Sequence, residues 1–182
     1  LKAGIAPSDI VLRQVTDNQF GGSHRALEVA IVGSSDKITF NGFLVNDDPA
    51  SRYNGLQQIR FDDGTSWDIA AIKAILFAGT AGNDDVRGTV GGETLLGGAG
   101  DDTLYAAAGD DTLYGGTGNN TYLFGRGEGQ DLVRLNDDSS TTKFSTLQLK
   151  AGIAPSDIVL RQVTDSYWGN PHRGLEVAIA GT

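Results

Sequence analysis

Hydrophobic positions follow two patterns along the chain. In the first third, Leu27, Val29 and Ile31 alternate with other residues, as do Ile38 and Phe40. That period of two predicts half-buried strands. Asp62-Asp63-Gly64-Thr65 lies between Ile59-Arg60-Phe61 and Trp67 and predicts a turn between two strands. Asp68 precedes Ile69, Ile72, Ile75 and Leu76, so a capping residue stands ahead of a helical spacing and one short helix is predicted. Beyond Gly79 the period changes. An apolar residue recurs at every ninth place, at Val86, Leu95, Leu104, Leu113 and Tyr122. A fixed period of that kind is the mark of stacked repeats.

Read in nines from Gly79, the segment is GTAGNDDVR, GTVGGETLL, GGAGDDTLY, AAAGDDTLY and GGTGNNTYL, ending at Leu123. Glycine holds the fourth place throughout, as Gly82, Gly91, Gly100, Gly109 and Gly118. The sixth place reads Asp84, Glu93, Asp102, Asp111 and Asn120. A second repeat works at a larger scale: Leu1–Asp17 recurs unchanged at Leu149–Asp165, an offset of 148 residues. The match resumes at His24-Arg25 against His172-Arg173 and at Leu27–Ile31 against Leu175–Ile179. The chain is therefore expected to be an excerpt of a longer tandem array, starting inside one unit and stopping inside the next, with neither natural terminus present.

Composition narrows the chemistry. There are 26 glycines, no cysteine and no methionine, and Asp plus Glu outnumber Lys plus Arg by 23 to 14. So much glycine disfavours a helical protein. A net charge of −9 argues against nucleic acid and anionic membranes as partners and suits cations. Disulfides and thiolate metal sites are excluded, no apolar run reaches membrane-spanning length, and the first residues show no secretory signal pattern. Between Gly79 and Leu123 there are seven acids and one base, Arg87, so these glycine loops repel phosphate. No EF-hand loop is present.

Five phased nonapeptides of this kind resemble the G-G-x-G-x-D-x-U-x pattern of RTX proteins, the haemolysin-type calcium-binding repeats. The segments Tyr122–Asp131 and Leu147–Val163, with Ile59–Ile72, resemble a haemolysin-type calcium-binding related domain. The resemblance implies an all-β chain: a parallel β-roll over 79–123, flanked by antiparallel strands and hairpins over 1–78 and 124–182, with at most one short helix. In that fold two nonapeptides make one turn, which stacks Val86, Leu104 and Tyr122 on one side and Leu95 and Leu113 on the other. It implies calcium held by sixth-place side chains and by loop carbonyls of the second and fourth places. Those residues are Thr80, Gly82, Asp84, Gly98, Gly100, Asp102, Ala107, Gly109, Asp111, Gly116, Gly118 and Asn120, with Glu93 on the least regular loop. Two or three ions are expected, because Glu93, the alanines Ala106 and Ala107, and Asn120 depart from the pattern. Asp131, Asp137 and Asp138 offer either a further site or a solvated acidic loop.

Catalysis has no visible seat. His24 and His172 occupy one place in two copies of the long repeat, and no G-x-S-x-G or H-E-x-x-H motif occurs. The expectation is a non-enzymatic calcium-binding module of a large secreted or cell-surface bacterial protein, an adhesin or toxin-like array exported by type I secretion. Its partners are calcium and neighbouring repeat units. The alternatives are the calcium-folded part of a secreted hydrolase, or a carbohydrate-binding module using Phe20, Tyr167 and Trp168 at the tips of two hairpins.

Overall fold

A computed structural model describes residues 4–17, 24–44, 54–134, 142–165 and 172–180. The alternating segments form an antiparallel sheet of β1 (Ile10–Asp17), β2 (His24–Ile31) and β3 (Lys37–Leu44), in the order β1-β2-β3. The central strand is enclosed more fully than its alternation suggests, since Ala26, Leu27, Glu28 and Val29 are all buried. Glu28 remains charged there because Lys37 lies 2.8 Å away and Arg13 3.7 Å away. The Lys37 hydrogen bond, against the opposing effect of burial, holds its carboxyl below the usual range.

The turn at Asp62–Thr65 forms as predicted and joins β4 (Gln58–Arg60) to β5 (Ser66–Asp68). Thr65 N–H donates to Asp63 Oδ1 at 2.8 Å, and Phe61 packs edge-on against Trp67. The one helix, α1 (Ile69–Leu76), starts where Asp68 Oδ1 accepts the Ala71 N–H at 2.8 Å. Its buried face presents Ile72 and Leu76.

Beyond Gly79 come five short strands, each centred on an apolar eighth-place residue: β6 (Asp85–Arg87), β7 (Thr94–Leu96), β8 (Thr103–Tyr105), β9 (Thr112–Tyr114) and β10 (Thr121–Phe124). Strands one turn apart pair in parallel, so Val86, Leu104 and Tyr122 align in one sheet and Leu95 and Leu113 in the other. The expected roll and both stacks are present. The sheets also continue past the nonapeptides. Strand β11 (Leu132–Arg134) adds Val133 beneath Leu113, and β12 (Thr146–Leu149) adds Leu147 beneath Tyr122. The last hairpin, β13 (Ile158–Asp165) and β14 (His172–Ile179), repeats the register of β1 and β2 residue for residue.

The front sheet and the helix close the first end of the roll. Gln14 Nε2 and an Arg25 guanidinium nitrogen donate to the Arg87 and Gly88 carbonyls, each at 2.8 Å. After α1, Leu96 N–H donates to Phe77 O at 2.9 Å, so the helix exit caps the edge of β7. One hydrophobic cluster therefore runs from Ile10 through Leu27, Phe43, Ile72 and Phe77 into Leu95, Leu104 and Tyr122. Among the described residues no helix is long and apolar enough to cross a membrane.

Candidate metal centre

The loops between the roll strands are held by two side-chain ladders. On the sixth-place ladder, Asp102 Oδ1 accepts the Asp84 N–H and Asn120 Oδ1 accepts the Asp102 N–H, both at 2.9 Å. On the opposite side Asp111 Oδ1 accepts the Glu93 N–H at 2.6 Å, and Asp131 Oδ1 accepts the Asp111 N–H at 3.2 Å. The fifth-place ladder runs in the other direction along the chain. Asn83 Oδ1 accepts from Asp101 N–H, Asp101 Oδ1 from Asn119 N–H and Asp110 Oδ1 from Gln130 N–H, at 2.8–2.9 Å. Each coil is thus stitched to the next by backbone donors that face carboxylates or amides.

The glycines allow the coils to stack this closely. Gly116 adopts φ +79, and a Cβ there would lie 1.9 Å from Gly98 O. Gly118 adopts φ +95, and its Cβ would lie 2.2 Å from Gly100 O. A side chain at either position would meet backbone that cannot move aside. Place-two and place-four residues of loops one turn apart consequently stack directly on one another.

A model of the RTX calcium-binding nonapeptide repeat, in four copies, matches residues 87–122. A model of the haemolysin-type calcium binding protein related domain matches residues 27–71. The roll is an RTX calcium-binding array. The related-domain match lies in front of the RTX roll, from within β2 to the first turn of α1, so it includes residues 59–71 but not the segments after the roll. No curated protein matches the chain.

The five RTX loops divide by what their sixth-place residue already touches. In the first loop, Asp84 Oδ2 accepts from Thr80 N–H at 2.6 Å and from Thr80 Oγ1 at 2.9 Å. In the second, Thr89 N–H and Oγ1 each donate to the Glu93 carboxylate at 2.8 Å, and Lys73 Nζ of α1 lies 2.9 Å from Glu93 Oε1. In the fifth, the Asn120 amide turns back to Gly116 O at 3.4 Å, and Lys143 Nζ also donates to Gly116 O, at 2.9 Å. These three loops are furnished with donors by the chain itself.

The third and fourth loops are not. Asp102 Oδ2 and Asp111 Oδ2 are buried without a hydrogen-bond partner. The residues are 1% exposed, so bulk solvent does not reach these oxygens. Burial pushes the Asp102 carboxyl upward; the neighbouring charges of Asp84 and Asp101 add to this, and the Asp84 N–H opposes it. Burial likewise raises Asp111 to about 6, against the Glu93 N–H and with help from Asp131, Glu93 and Asp110. Burial also lifts Asp131 to about 6. A third buried carboxylate oxygen, Glu128 Oε2, has no donor either, but Lys150 Nζ pairs with Glu128 Oε1 and offsets its charge.

A buried carboxylate oxygen without a donor is costly unless a cation faces it, so these two loops fit a hard divalent ion. Among the described residues no three His, Cys, Asp or Glu side chains converge on one point. The remaining ligands would therefore be backbone carbonyls, which calcium accepts readily.

The left-handed backbone divides the loops differently, setting the first two apart from the last three. Gly98, Gly100, Gly109, Gly116, Gly118 and Ala107 have positive φ, whereas Thr80, Gly82, Thr89 and Gly91 do not. Ala107 reaches φ 76 despite its methyl group. Sequence reasoning gave Thr80 only a carbonyl role; its hydroxyl and N–H hold Asp84 as well. That signal was visible in the threonines standing where Gly98 and Gly116 stand later. The fifth-place ladder also has a sequence signal, the Asn or Asp at Asn83, Asp101, Asp110 and Asn119. Lys73 and Lys143 carried no repeat signal. Asp131 joins the ladder below Asp111, while Asp137, Asp138, Phe20, Tyr167 and Trp168 lie outside the described residues.

Proposed function

We propose that the chain is a calcium-dependent structural module of a large secreted or surface-displayed bacterial RTX array, with two principal ions, one in the Asp102 loop and one in the Asp111 loop. The observation that supports this most is the pair of buried, donorless oxygens at Asp102 and Asp111. Asp102 with the carbonyls of Gly98 and Gly100 would hold one ion; Asp111 with those of Ala107 and Gly109 would hold the other. Asp84 and Gly82 flank the first group, and Gly116, Gly118 and Asn120 complete its far side. Calcium supplies the positive charge that these loops lack.

The chain's own residues set when that charge matters. Asp102 and Asp111 present one oxygen to the ladder and keep the other for a cation. Their burial opposes folding until a cation arrives. Lys73 and Lys143 serve the outer loops with ammonium groups that need no ion. Fixing each residue of the roll costs roughly 1–2 kcal/mol, and ions that bind only the folded form add about 2.7 kcal/mol each at a hundredfold excess over their dissociation constant. An array so balanced stays open in calcium-poor cytosol and closes outside the cell, where millimolar calcium suits sites of this class. This reading fits a structural role and export by type I secretion.

The test is calorimetric titration of the 182-residue chain with calcium, with far-ultraviolet circular dichroism before and after chelation. Binding of two ions with a gain of β signal is the expected result. Binding without that gain refutes calcium-gated folding, and no binding at millimolar calcium refutes the module's function altogether.

A further inference from the structure

The two copies of the long repeat share a sequence but not an environment. In the first hairpin, Leu12 is 9% exposed and Leu27 is fully buried; their counterparts in the second, Leu160 and Leu175, are 63% and 67% exposed. These residues share one face, because β1 sets Leu12 opposite Val29 and Gln14 opposite Leu27, and β13 sets Leu160 opposite Val177 and Gln162 opposite Leu175. The first hairpin owes its cover to β3 along the edge of β2 and to a core containing Phe43, Leu44, Ile72 and Val86. The second is a two-stranded sheet. It is also tied to the roll before it: Arg126 donates to Asp157 Oδ2 at 2.7 Å and to Ala180 O at 2.8 Å.

We propose that the Leu160–Leu175 face and the outer edge of β14 seat a further copy of the segment Lys37–Arg87, joined in sequence. Each hairpin then serves as the end-wall of the roll that follows it while Arg126 fixes it to the roll before. The chain itself argues for this occupant, since a pair of strands in identical register, differing only by Ala26 for Gly174, is covered by that segment at the other end. The path fits too. Val32 N–H donates to Asp9 O at 2.8 Å before the chain turns into β3, and Ala180 N–H donates to Asp157 O at 2.7 Å at the equivalent point. The inference rests on the repeat-array reading, but its geometry does not depend on calcium.

The test extends the 182-residue chain with a second copy of residues 35–134, which continues the 148-residue register. Hydrogen exchange of peptides covering Ile158–Ile179 is then compared in the original and extended proteins at millimolar calcium. At least tenfold slower exchange in the extended protein is expected, with calcium stoichiometry doubled. Leu175→Lys should reverse the protection and lower the melting midpoint of the added roll, while leaving the first roll and the unextended chain unchanged. An added roll that fails to form, or that forms without protecting the hairpin, overturns the proposal. So does concentration-dependent protection of the unextended chain that Leu175→Lys abolishes, because a second molecule would then fill the seat. Absence of calcium binding in both proteins, with the protection intact, would sink the calcium reading and leave this one standing.

Discussion

Replacing Asp111 by Asn should stabilise the calcium-free chain and weaken its response to calcium. The side chain is 1% exposed, its Oδ1 accepts the Glu93 N–H, and its Oδ2 has no donor. Asparagine keeps the first contact and removes the charge. Burial raises the carboxyl from 3.8 to about 6, so the folded chain binds this proton more tightly than the unfolded one. The associated stability is therefore present at low pH and lost as pH rises through about 6. At pH 7 the penalty of the charged form is about 3 kcal/mol, from roughly two pH units at 1.36 kcal/mol each. Asp131 titrates in the same range against the same loop, so the pair shares the effect and a gain of about 1–3 kcal/mol is expected. For a chain of this size that is roughly 2–12 °C in melting midpoint. Thermal melts with chelator at pH 7 and pH 4.5 measure it: Asp111→Asn should melt higher at pH 7, and the gap should narrow to about a third at pH 4.5, where the charged form's penalty is about 1 kcal/mol. In calcium at a thousandfold excess over its dissociation constant the order should reverse, as the variant forfeits one ion's contribution of about 4.1 kcal/mol. A variant that is neutral or less stable in chelator at pH 7 would refute the claim that this oxygen is an unpaid charge awaiting a cation.

Three other outcomes follow from the same geometry. Lys73→Met should destabilise the chain by about 3 kcal/mol with or without calcium, because it strands the buried Glu93 carboxylate; adding Glu93→Gln should restore most of the loss in a double-mutant cycle of urea melts. Ala107→Gly should raise stability by up to about 1 kcal/mol, since alanine at φ 76 is strained by roughly 1–2 kcal/mol while glycine adds unfolded-state entropy; a loss on equilibrium unfolding would contradict that strain. Leu104→Ala, at a fully buried position in the middle of its stack, should cost about 2–5 kcal/mol in calcium, whereas alanine at exposed Leu147 on the same stack should cost far less.

What the sequence reveals here depends on whether a contact repeats. The apolar eighth places define both stacks, because inward residues recur with each coil and the parallel pairing buries Leu95, Leu104 and Leu113. The helix at Ile69–Leu76 and the turn at Asp62–Thr65 are equally legible, since capping and turn preferences act within a few residues. The continuation of both sheets into β11 and β12 is not. There the spacing stretches from 18 residues to 20 between Leu113 and Val133 and to 25 between Tyr122 and Leu147, so the phase that announces the roll is lost although the pairing goes on.

The same distinction governs the metal loops. Asp84, Glu93, Asp102 and Asp111 look like one set in the repeat, yet of these only Asp102 and Asp111 keep a buried oxygen without a donor. The difference comes partly from a repeat position, Thr80 and Thr89 against Gly98 and Ala107, and partly from lysines that arrive from outside the repeat. Lys73 reaches Glu93 from a helix twenty residues earlier, and Lys143 reaches Gly116 from twenty-seven residues later. A cation delivered once, by a flank, leaves no periodic trace. The second and fifth loops are therefore served by ammonium groups fixed in the sequence and the first by Thr80, while on the proposed reading the third and fourth take their charge from solution. On that reading calcium is predicted to act on the centre of the roll, and its ends to hold without the ion.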